Sequence, residues 1–425
     1  MKRACIITLG CRLNHADTAL LTARLRREGY TPVSEPDGTT DLIILNSCAV
    51  TAEAERKSRQ QLRKLRRAFP QARIVAAGCA AELSPEKMRG CGADEVWSNP
   101  EKKTLCDASP TPKSRELPAE NFTERAAGEF PFRTRAFIKI QEGCDNHCSY
   151  CIVPTVRGPS RSRDFTECLD DCRHAVEHGF PELVLTGVNT CNYADGGRTL
   201  ADLIRAAAAI PGEFRIRLSS AEPHPDDPTL PRLIAESDGK LCRFLHVSMQ
   251  HGSDRILTAM ERRYTAEQFI RYAETARKFV PDIHLGTDFI VGFPGETEAD
   301  FAALLQVAEE VGFANIHAFA YSPRPGTPAA AMPGRIAPEI IRERMTRLRE
   351  TARRSAAKFA ASQYGKLLPV IFERESGGLQ RGWSDNYLAV TAPAGTFPLR
   401  RIVDVTADEK FLAENLQTPS GGDIL

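Results

Sequence analysis

The stretch AFIKIQEGCDNHCSYC, residues 136–151, joins an apolar run to a loop that contains three cysteines. The run AFIKI has the length and composition of a buried β-strand. The loop after it holds Cys144, Cys148 and Cys151 in the spacing C-x-x-x-C-x-x-C. Because thiolates at such short spacings hold iron–sulfur clusters, the stretch predicts a metal centre directly after a strand.

The number of thiols in this loop limits the kind of metal centre. A 4Fe-4S cluster takes four ligands, so three cysteines leave one iron open for a cofactor. Zinc is an alternative, because His147 offers a fourth ligand within the loop. Three cysteines packed as small core residues are a further alternative, although a polar loop with a glycine beside Cys144 makes a poor core segment. The spacing alone leaves zinc open.

Strand and helix patterns alternate on the carboxyl side of this stretch. Five more strand candidates follow AFIKI, namely ELVLTG, FRIRLSS, RFLHVSM, IHLGTDFIVGF and NIHAFAYS. Together they make six strand–helix units, which predict a parallel, partial (β/α)6 barrel over residues 134–360. A long basic helix that begins at APEIIRER is expected to leave the barrel.

The two ends of the chain have other patterns. Residues 1–106 alternate the runs RACIITLG, DLIILNS and RIVAAGC with charged amphipathic stretches, which predicts an open parallel α/β sheet. Residues 107–133 are rich in proline, serine and charge, as in a linker. Residues 361–425 consist of short runs with turn signals, which predicts a small antiparallel β barrel. The predicted fold class is α/β, with three domains.

A second set of three cysteines follows the strands of the amino-terminal sheet. Cys11, Cys48 and Cys79 each lie just beyond the carboxyl end of one predicted strand, in TLGC, NSC and AAGC. The carboxyl ends of parallel strands face one crevice, where ligands bind. A buried cysteine at a strand end is the alternative for each residue singly, but the repetition predicts a second cluster of three thiols.

Composition supports ligand roles for these thiols. The chain has 425 residues, 42% of them hydrophobic, 13 cysteines and a formal net charge of +1. Its first apolar run is too short for a signal peptide, and no run reaches membrane-spanning length, so we expect a cytoplasmic protein without a membrane partner. In a reducing compartment, clustered cysteines favour metal binding or catalysis over disulfides. Cys168 and Cys172 share a face of a predicted helix and are expected to pack in the core.

Polar loops follow the barrel strands, at the end where such barrels build active sites. They suit a nucleoside and an amino-acid head group, although turn chemistry alone also explains them; they span residues 186–193, 218–224, 249–254 and 291–297. The run RGPSRSR adds Arg157, Arg161 and Arg163. Guanidinium groups suit phosphate or carboxylate, and a solvated charge run is the alternative.

The carboxyl-terminal segment mixes basic and aromatic side chains. Such a mixture on a small barrel is compatible with RNA binding through phosphate contacts and base stacking. The residues are Lys366, Arg381, Arg400, Arg401, Phe372, Trp383 and Tyr387.

The chain resembles the radical S-adenosylmethionine (SAM) methylthiotransferases from residue 3 to about residue 410. The motifs that carry the resemblance are ITLGCRLNHADT, NSCAVTAEAERKSRQ, GCAA, KIQEGCDNHCSYCIVPTVRGPSRSR, RLSSAEP, DFIVGFPGET and YSPRPGTPA. The resemblance implies a radical SAM barrel and a terminal TRAM domain, which is a small RNA-binding β barrel. It also implies two 4Fe-4S clusters. Cys144, Cys148 and Cys151 would hold the SAM-binding cluster, and Cys11, Cys48 and Cys79 an auxiliary one.

Within that family, four motifs are most similar to those of one branch, namely NSCAVT, RKSRQ, TGVNTCNY and GWSDNYLAV. That branch modifies N6-threonylcarbamoyladenosine at position 37, beside the anticodon of tRNA. His15 stands where the family usually has glutamine, and His251 where a small residue is common. The SAM contacts are expected at Tyr150, Gly187, Asn189, Ser219 and Gln250.

The resemblance also implies a reaction and two partners. One electron cleaves SAM at the first cluster, the 5′-deoxyadenosyl radical removes hydrogen from C2 of the adenine, and the auxiliary cluster delivers the sulfur. The protein positions the substrate between the clusters and excludes water. The implied partners are the tRNA anticodon stem-loop and an external one-electron donor of the flavodoxin or ferredoxin type.

Two other functions stay open at this point. The first is a methylthiotransferase that acts on isopentenyladenosine in tRNA or on an aspartate of a ribosomal protein. The second is a non-catalytic RNA-binding protein that holds zinc or iron–sulfur, for which open iron sites would have no evident use.

Overall fold

A five-stranded parallel sheet forms the first part of the computed structural model, which describes residues 2–103 and 134–412. Its strands pair in the order β2-β1-β3-β4-β5. The strands are β1 Lys2–Thr8, β2 Tyr30–Val33, β3 Leu42–Ser47, β4 Arg73–Gly78 and β5 Glu95–Val96, and the helices are α1 Arg12–Arg27, α2 Ala52–Ala68, α3 Cys79–Leu83 and α4 Pro85–Arg89. The predicted parallel sheet is confirmed, and two short edge strands, β2 and β5, add to it. The predicted linker lies outside the described residues.

Six parallel strands follow, and each overlaps one of the six candidate segments. They are β6 Arg135–Lys139, β9 Glu182–Thr186, β12 Arg215–Leu218, β13 Phe244–His246, β14 His284–Val291 and β15 Asn315–Ala320. They form two three-stranded sheets, β12-β9-β6 and β13-β14-β15. A parallel bridge between Ile216 and Leu241 and another between Ala221 and Val247 join the sheets.

The remaining elements of this part are short strands and the helices that cover the sheets. The strands are β7 Gln141–Glu142, β8 Arg161–Ser162, β10 Ala194–Asp195 and β11 Arg198–Thr199. The helices are α5 Val153–Arg157, α6 Phe165–Glu177, α7 Leu200–Ala208, α8 Thr229–Glu236, α9 Asp254–Ala259, α10 Ala266–Phe279, α11 Glu298–Val311, α12 Pro328–Ala331 and α13 Pro338–Ala361. Cys168 and Cys172 lie on α6 and are fully buried, as expected.

Side chains alternate between the two faces of the six strands, as the pleat requires. One face carries Leu183, Ile216 and Leu285, which pack with apolar helix residues in the main core. The opposite face, here called the inner face, carries mostly polar and aromatic groups. Its members include Arg135, Lys139, Glu182, Arg215, Arg217, Phe244, His246, Asp288 and His317.

Helix α13 packs against β15 and α11, so the prediction that it leaves the strands is wrong. Its buried residues include Met345, Leu348 and Ala352. They lie at helical spacing on one side, and this apolar stripe joins the main core. Most of its basic residues are exposed, whereas Arg344 is buried and pairs with Glu296 at 2.6 Å.

A four-stranded antiparallel sheet, in the order β18-β17-β16-β19, completes the described chain. Its elements are β16 Leu367–Ser376, β17 Leu379–Ser384, β18 Ala389–Pro393, β19 Ile402–Thr406 and the short helix α14 Glu409–Leu412. This sheet covers the amino-terminal ends of the parallel strands. Arg215 donates to the carbonyl oxygens of Pro369 at 2.8 Å and Trp383 at 3.0 Å, and Arg217 to that of Asp385 at 2.9 Å.

Within the described part of the chain, no helix combines the length and the apolarity that a membrane span requires.

Candidate functional site

The three amino-terminal cysteines converge at the carboxyl edge of the first sheet. Cys11 caps α1 after β1, Cys48 follows β3, and Cys79 begins α3 after β4. Burial, together with the nearby thiols of Cys11 and Cys79, raises the pKa of the Cys48 thiol to about 12. Gly10 has a φ of +97°, and a Cβ there would lie 2.8 Å from the Sγ of Cys48. Glycine at this position therefore gives the Cys48 thiol its space.

Gly78 holds the next turn of this site. Its φ is +86°, and an added Cβ would lie 2.5 Å from the carbonyl oxygen of Ser47 in the neighbouring strand. We expect Gly78→Ala to lower the free energy of unfolding by about 2 kcal/mol or more, because strain and a backbone clash combine. It should also displace Cys79, the next residue, and lower the iron content of the anaerobically reconstituted protein.

Gly179→Ala is the matched control for that substitution. Gly179 also has a positive φ, +75°, but nothing lies within 4 Å of an added Cβ. It should cost less stability and leave the iron content unchanged. Equal iron contents for wild type and Gly78→Ala would contradict the role given to this turn.

The cysteines of the loop after β6 form the second set. Burial, together with the nearby Cys148 thiol, raises the pKa of Cys144 to about 11 and that of Cys151 to about 12. Arg262 donates to the Sγ of Cys148 at 3.1 Å. A cavity of about 140 Å³ lies beside Cys148, lined also by Asn146, His147, Glu222, Glu261, Arg262 and Arg263. Because metal ligation requires thiolates, loading either set with metal must release protons.

Arg157 links the two sets of thiols. It donates to the Sγ of Cys79 at 3.3 Å, to Glu142 at 3.0 Å and to Asp17 at 3.1 Å. Glu142 directly precedes the loop of the second set, and Asp17 lies on α1 of the first. Buried, unlike-charged partners hold this guanidinium, and they hold its pKa above its ordinary value despite burial.

The other arginines of RGPSRSR are also buried and internally paired. Arg161 contacts Glu142 at 3.3 Å, and Arg163 contacts Asp171 at 2.8 Å. The interpretation of this run as a solvated charged face is therefore wrong. Its guanidiniums do bind carboxylates, as their chemistry suggests, but those carboxylates belong to this chain.

The residues predicted to contact SAM lie around the second set. Asn189 donates to Glu222 at 2.7 Å, while its Oδ1 is buried without a hydrogen-bond partner. The buried Oγ of Ser219 also lacks a partner within the described residues. An added Cβ on Gly187 would lie 2.9 Å from the Oε1 of Gln141, so the backbone approaches closely there. Unpaired polar atoms and a bare backbone fit a polar cofactor.

Tyr150 and Gln250 have less direct positions. Tyr150 packs against an apolar cluster that includes Met260 and Phe293. Gln250 adopts a φ of +73°, and its N–H donates to the carbonyl oxygen of Asp288 at 2.8 Å. A non-glycine residue in this conformation indicates a constrained position.

Glu222 is a site residue that the sequence did not reveal. It accepts hydrogen bonds from Asn146 and Asn189 and pairs with Arg262 at 2.9 Å. It thereby fixes the cysteine loop, the Asn189 loop and the neighbour of the Cys148 thiol. The motif RLSSAEP contains it, but nothing in that local pattern indicates these distant partners.

The two unusual histidines take structural positions. The ring of His15 lies 5.8 Å from that of Phe137 on β6. His251 is fully buried, and its Nε2 lies 3.3 Å from Glu296.

Most aromatic residues predicted to stack on RNA are used internally instead. Phe372 is fully buried. Tyr387 stacks on Trp383 at 4.8 Å, and both lie beside Arg135 on β6. The idea that these rings bind bases is therefore wrong, because they pack against the parallel strands. Lys366 pairs with Asp282, while Arg381, Arg400 and Arg401 are exposed.

Two family profiles and several curated relatives match the chain. Residues 3–96 match the profile described as "Uncharacterized protein family UPF0004", and residues 138–308 match the radical SAM superfamily. The threonylcarbamoyladenosine tRNA methylthiotransferase MtaB of Thermotoga maritima is 35% identical, with 91% of each chain covered. The chain belongs to the radical SAM methylthiotransferase family. SAM and two 4Fe-4S clusters are the cofactors of this family, and the two sets of three thiols fit the clusters.

Other relatives extend this comparison within the family. MtaB of Chlamydia pneumoniae is 36% identical, with 95% of this chain and 94% of the relative covered. A tRNA-2-methylthio-N(6)-dimethylallyladenosine synthase of a Jannaschia species is 35% identical, with 88% and 84% covered. Among solved structures, the radical SAM methyltransferase TsrM of Kitasatospora setae covers 98% of this chain and 90% of its own, with 15% identity and a TM-score of 0.57. That last likeness concerns the fold alone.

Proposed function

We propose that this enzyme methylthiolates C2 of N6-threonylcarbamoyladenosine at position 37 of tRNA. The observation that carries the proposal is the pair of three-thiol sets, which are linked through Arg157 by its contacts with Cys79 and Glu142. The relatives named MtaB favour the threonylcarbamoyl substrate. The dimethylallyladenosine synthase has a similar identity, so the substrate requires a direct test.

We assign the cofactors to these residues. Cys144, Cys148 and Cys151 hold the SAM-binding cluster, and Cys11, Cys48 and Cys79 the auxiliary cluster. When bound, these groups supply reductive cleavage of SAM and a source of sulfur. The buried, unpaired oxygens of Asn189 and Ser219 are available to polar groups of SAM. An external one-electron donor of the flavodoxin or ferredoxin type completes the proposal.

The protein's own residues hold the parts of the site in position and exclude water from it. Glu222 ties Asn146, Asn189 and Arg262 together, so the loop of the second set cannot move independently of the strand ends. Lys102, Lys139 and Arg157 surround the buried Asp17 and thereby fix the first sheet against β6. The antiparallel sheet covers the opposite end of the strands, which limits the entry of water there.

We propose that the chain is divided into the domains that its sequence predicts. We assign residues 1–106 to the domain of the auxiliary cluster, 134–360 to a partial (β/α)6 radical SAM barrel, and 361–425 to a TRAM barrel. Exposed Arg381, Arg400 and Arg401 would contact the phosphates of the anticodon stem-loop.

The deciding experiment compares substrates under anaerobic conditions. Reconstituted enzyme, SAM and a reductant are incubated separately with stem-loops that carry threonylcarbamoyladenosine or isopentenyladenosine, and with the ribosomal protein peptide. Mass spectrometry of the digested products should find the 2-methylthio nucleoside from the first substrate. Modification of the peptide alone would refute a tRNA function. A preparation that contains zinc, lacks iron and never forms deoxyadenosine would favour the non-catalytic alternative.

A further inference from the structure

Arg12 extends from the first set of thiols into the inner space. It directly follows Cys11, and its guanidinium lies 5.6 Å from the ring of Phe244 and 5.2 Å from that of Tyr387. Its Nη1 donates to the carbonyl oxygen of Ser219 at 2.9 Å. Phe244 and His246 lie two positions apart on the same face of β13. Arg12 therefore lies on the inner face, next to a predicted SAM contact.

The other arginines around the inner face have carboxylate partners, whereas Arg12 has none within the described residues. Arg215 and Arg217 pair with Glu182 at 2.7 and 2.8 Å, and Arg135 pairs with Glu373 at 2.9 Å. The two aromatic rings, the Ser219 carbonyl and the Tyr387 hydroxyl hold the Arg12 guanidinium in place. A guanidinium has five N–H donors, so these two oxygens still leave capacity for a bidentate anion.

Charges near Arg12 favour an anion. Four guanidiniums, those of Arg12, Arg135, Arg215 and Arg217, face the carboxylates of Glu182 and Glu373, and with the carboxylate of Asp288 included the net charge is 4 − 3 = +1. Although burial alone would raise the pKa of the Tyr387 hydroxyl, Arg12, Arg135 and Arg217 lower it. Burial and Arg217 likewise lower the pKa of His284 to about 3.

One further carboxylate, Asp288, faces the same space. Its two oxygens contact His246 at 3.1 Å and His317 at 3.0 Å, and Ser248 also donates to it. These neighbours satisfy Asp288 locally, so it does not supply the missing partner of Arg12.

We propose that Arg12 binds the threonine carboxylate of N6-threonylcarbamoyladenosine and so selects this substrate over the neutral isopentenyl nucleoside. This inference rests on the proposed function. Arg12 is a specificity-determining residue. Its guanidinium would bind the charged group of the substrate, and its backbone directly follows Cys11 of the first set of thiols. The carboxylate of a ribosomal protein aspartate is the competing anion, and the tRNA relatives favour the nucleoside.

The test varies the charge on both sides. Three stem-loops carry threonylcarbamoyladenosine, its threonine methylamide, which is neutral, or isopentenyladenosine. Anaerobic holoenzymes of wild type, Arg12→Gln, Arg12→Lys and Arg27→Gln are compared for kcat/KM and, by fluorescence anisotropy, for Kd. Arg27 lies exposed at the far end of the same helix and serves as the matched control. Iron content checks that the site beside Cys11 is intact.

Wild type and Arg27→Gln should prefer the free carboxylate over the methylamide by about 10- to 100-fold in Kd and kcat/KM. Arg12→Gln should bring this ratio near one, and Arg12→Lys should retain part of it. Methylthiolation with an unchanged ratio in Arg12→Gln would overturn the role of Arg12 and leave the proposed function standing. Modification of isopentenyladenosine alone would overturn both.

Discussion

Replacement of Cys144 by alanine should reduce the iron content from about eight to about four atoms per chain and abolish methylthiolation. A 4Fe-4S cluster that loses one of only three protein thiols is not retained, whereas the other set of thiols keeps all its ligands. Cys48→Ala should remove the same amount of iron from the other site. Under anaerobic conditions, Cys48→Ala should still form deoxyadenosine from SAM, and Cys144→Ala should not.

Iron and sulfide analysis, with deoxyadenosine measured by chromatography, checks both variants. Cys172→Ala is the matched control, because Cys172 is fully buried on α6 and packs in the main core, which contains no cysteine of either set. It should keep both clusters and the activity. If Cys48→Ala keeps all the iron and sulfide of wild type, the chain does not hold two clusters in the proposed way.

Removal of the Glu182 carboxylate should have the largest effect on stability. Glu182 is fully buried and contacts Arg135 at 3.2 Å, Arg215 at 2.7 Å and Arg217 at 2.8 Å. Glu182→Ala leaves buried guanidiniums without this partner, which should lower the free energy of unfolding by about 3–5 kcal/mol. The arginines hold the pKa of Glu182 well below its ordinary value despite burial. This contribution is therefore complete above about pH 5 and lost only as the pH falls through the lowered pKa.

Trp383 reports this loss directly, because its carbonyl accepts from Arg215 and its ring lies beside Arg135. The chain has two tryptophans, so a Trp97→Phe background leaves Trp383 as the single probe. Urea unfolding followed by its fluorescence should shift to lower urea in Glu182→Ala. The same change at exposed Glu177 should leave the transition in place. Coincident curves for the two variants would contradict the role of Glu182.

The sequence predicted the parts of the structure that have local patterns. Six strand candidates overlap the six parallel strands, because apolar runs bounded by glycine and polar residues identify buried strands. The two cysteine sets followed from close spacing in one case and from the repeated strand-end position in the other. The edge strands β2 and β5 were not predicted, because they are short and only partly buried.

Interactions between distant residues could not be predicted in this way. Glu182, Arg215 and Arg217 lie inside strand candidates, where nothing local indicates that they face one another. Glu222 and Arg157 act through partners far away in the sequence. The mixture of basic and aromatic residues around Tyr387 and Trp383 suggested RNA binding. A sequence does not reveal which aromatic rings pack against a neighbouring domain, so the internal positions of these two rings could not be predicted.

The antiparallel sheet also has a consequence for the biogenesis of the enzyme. Residues 383–385 supply the backbone oxygens that Arg215 and Arg217 require, and they leave the ribosome long after β12 does. A nascent chain that has completed only the parallel strands therefore lacks these acceptors, and Glu182 is left to pair with both guanidiniums until residues 383–385 emerge.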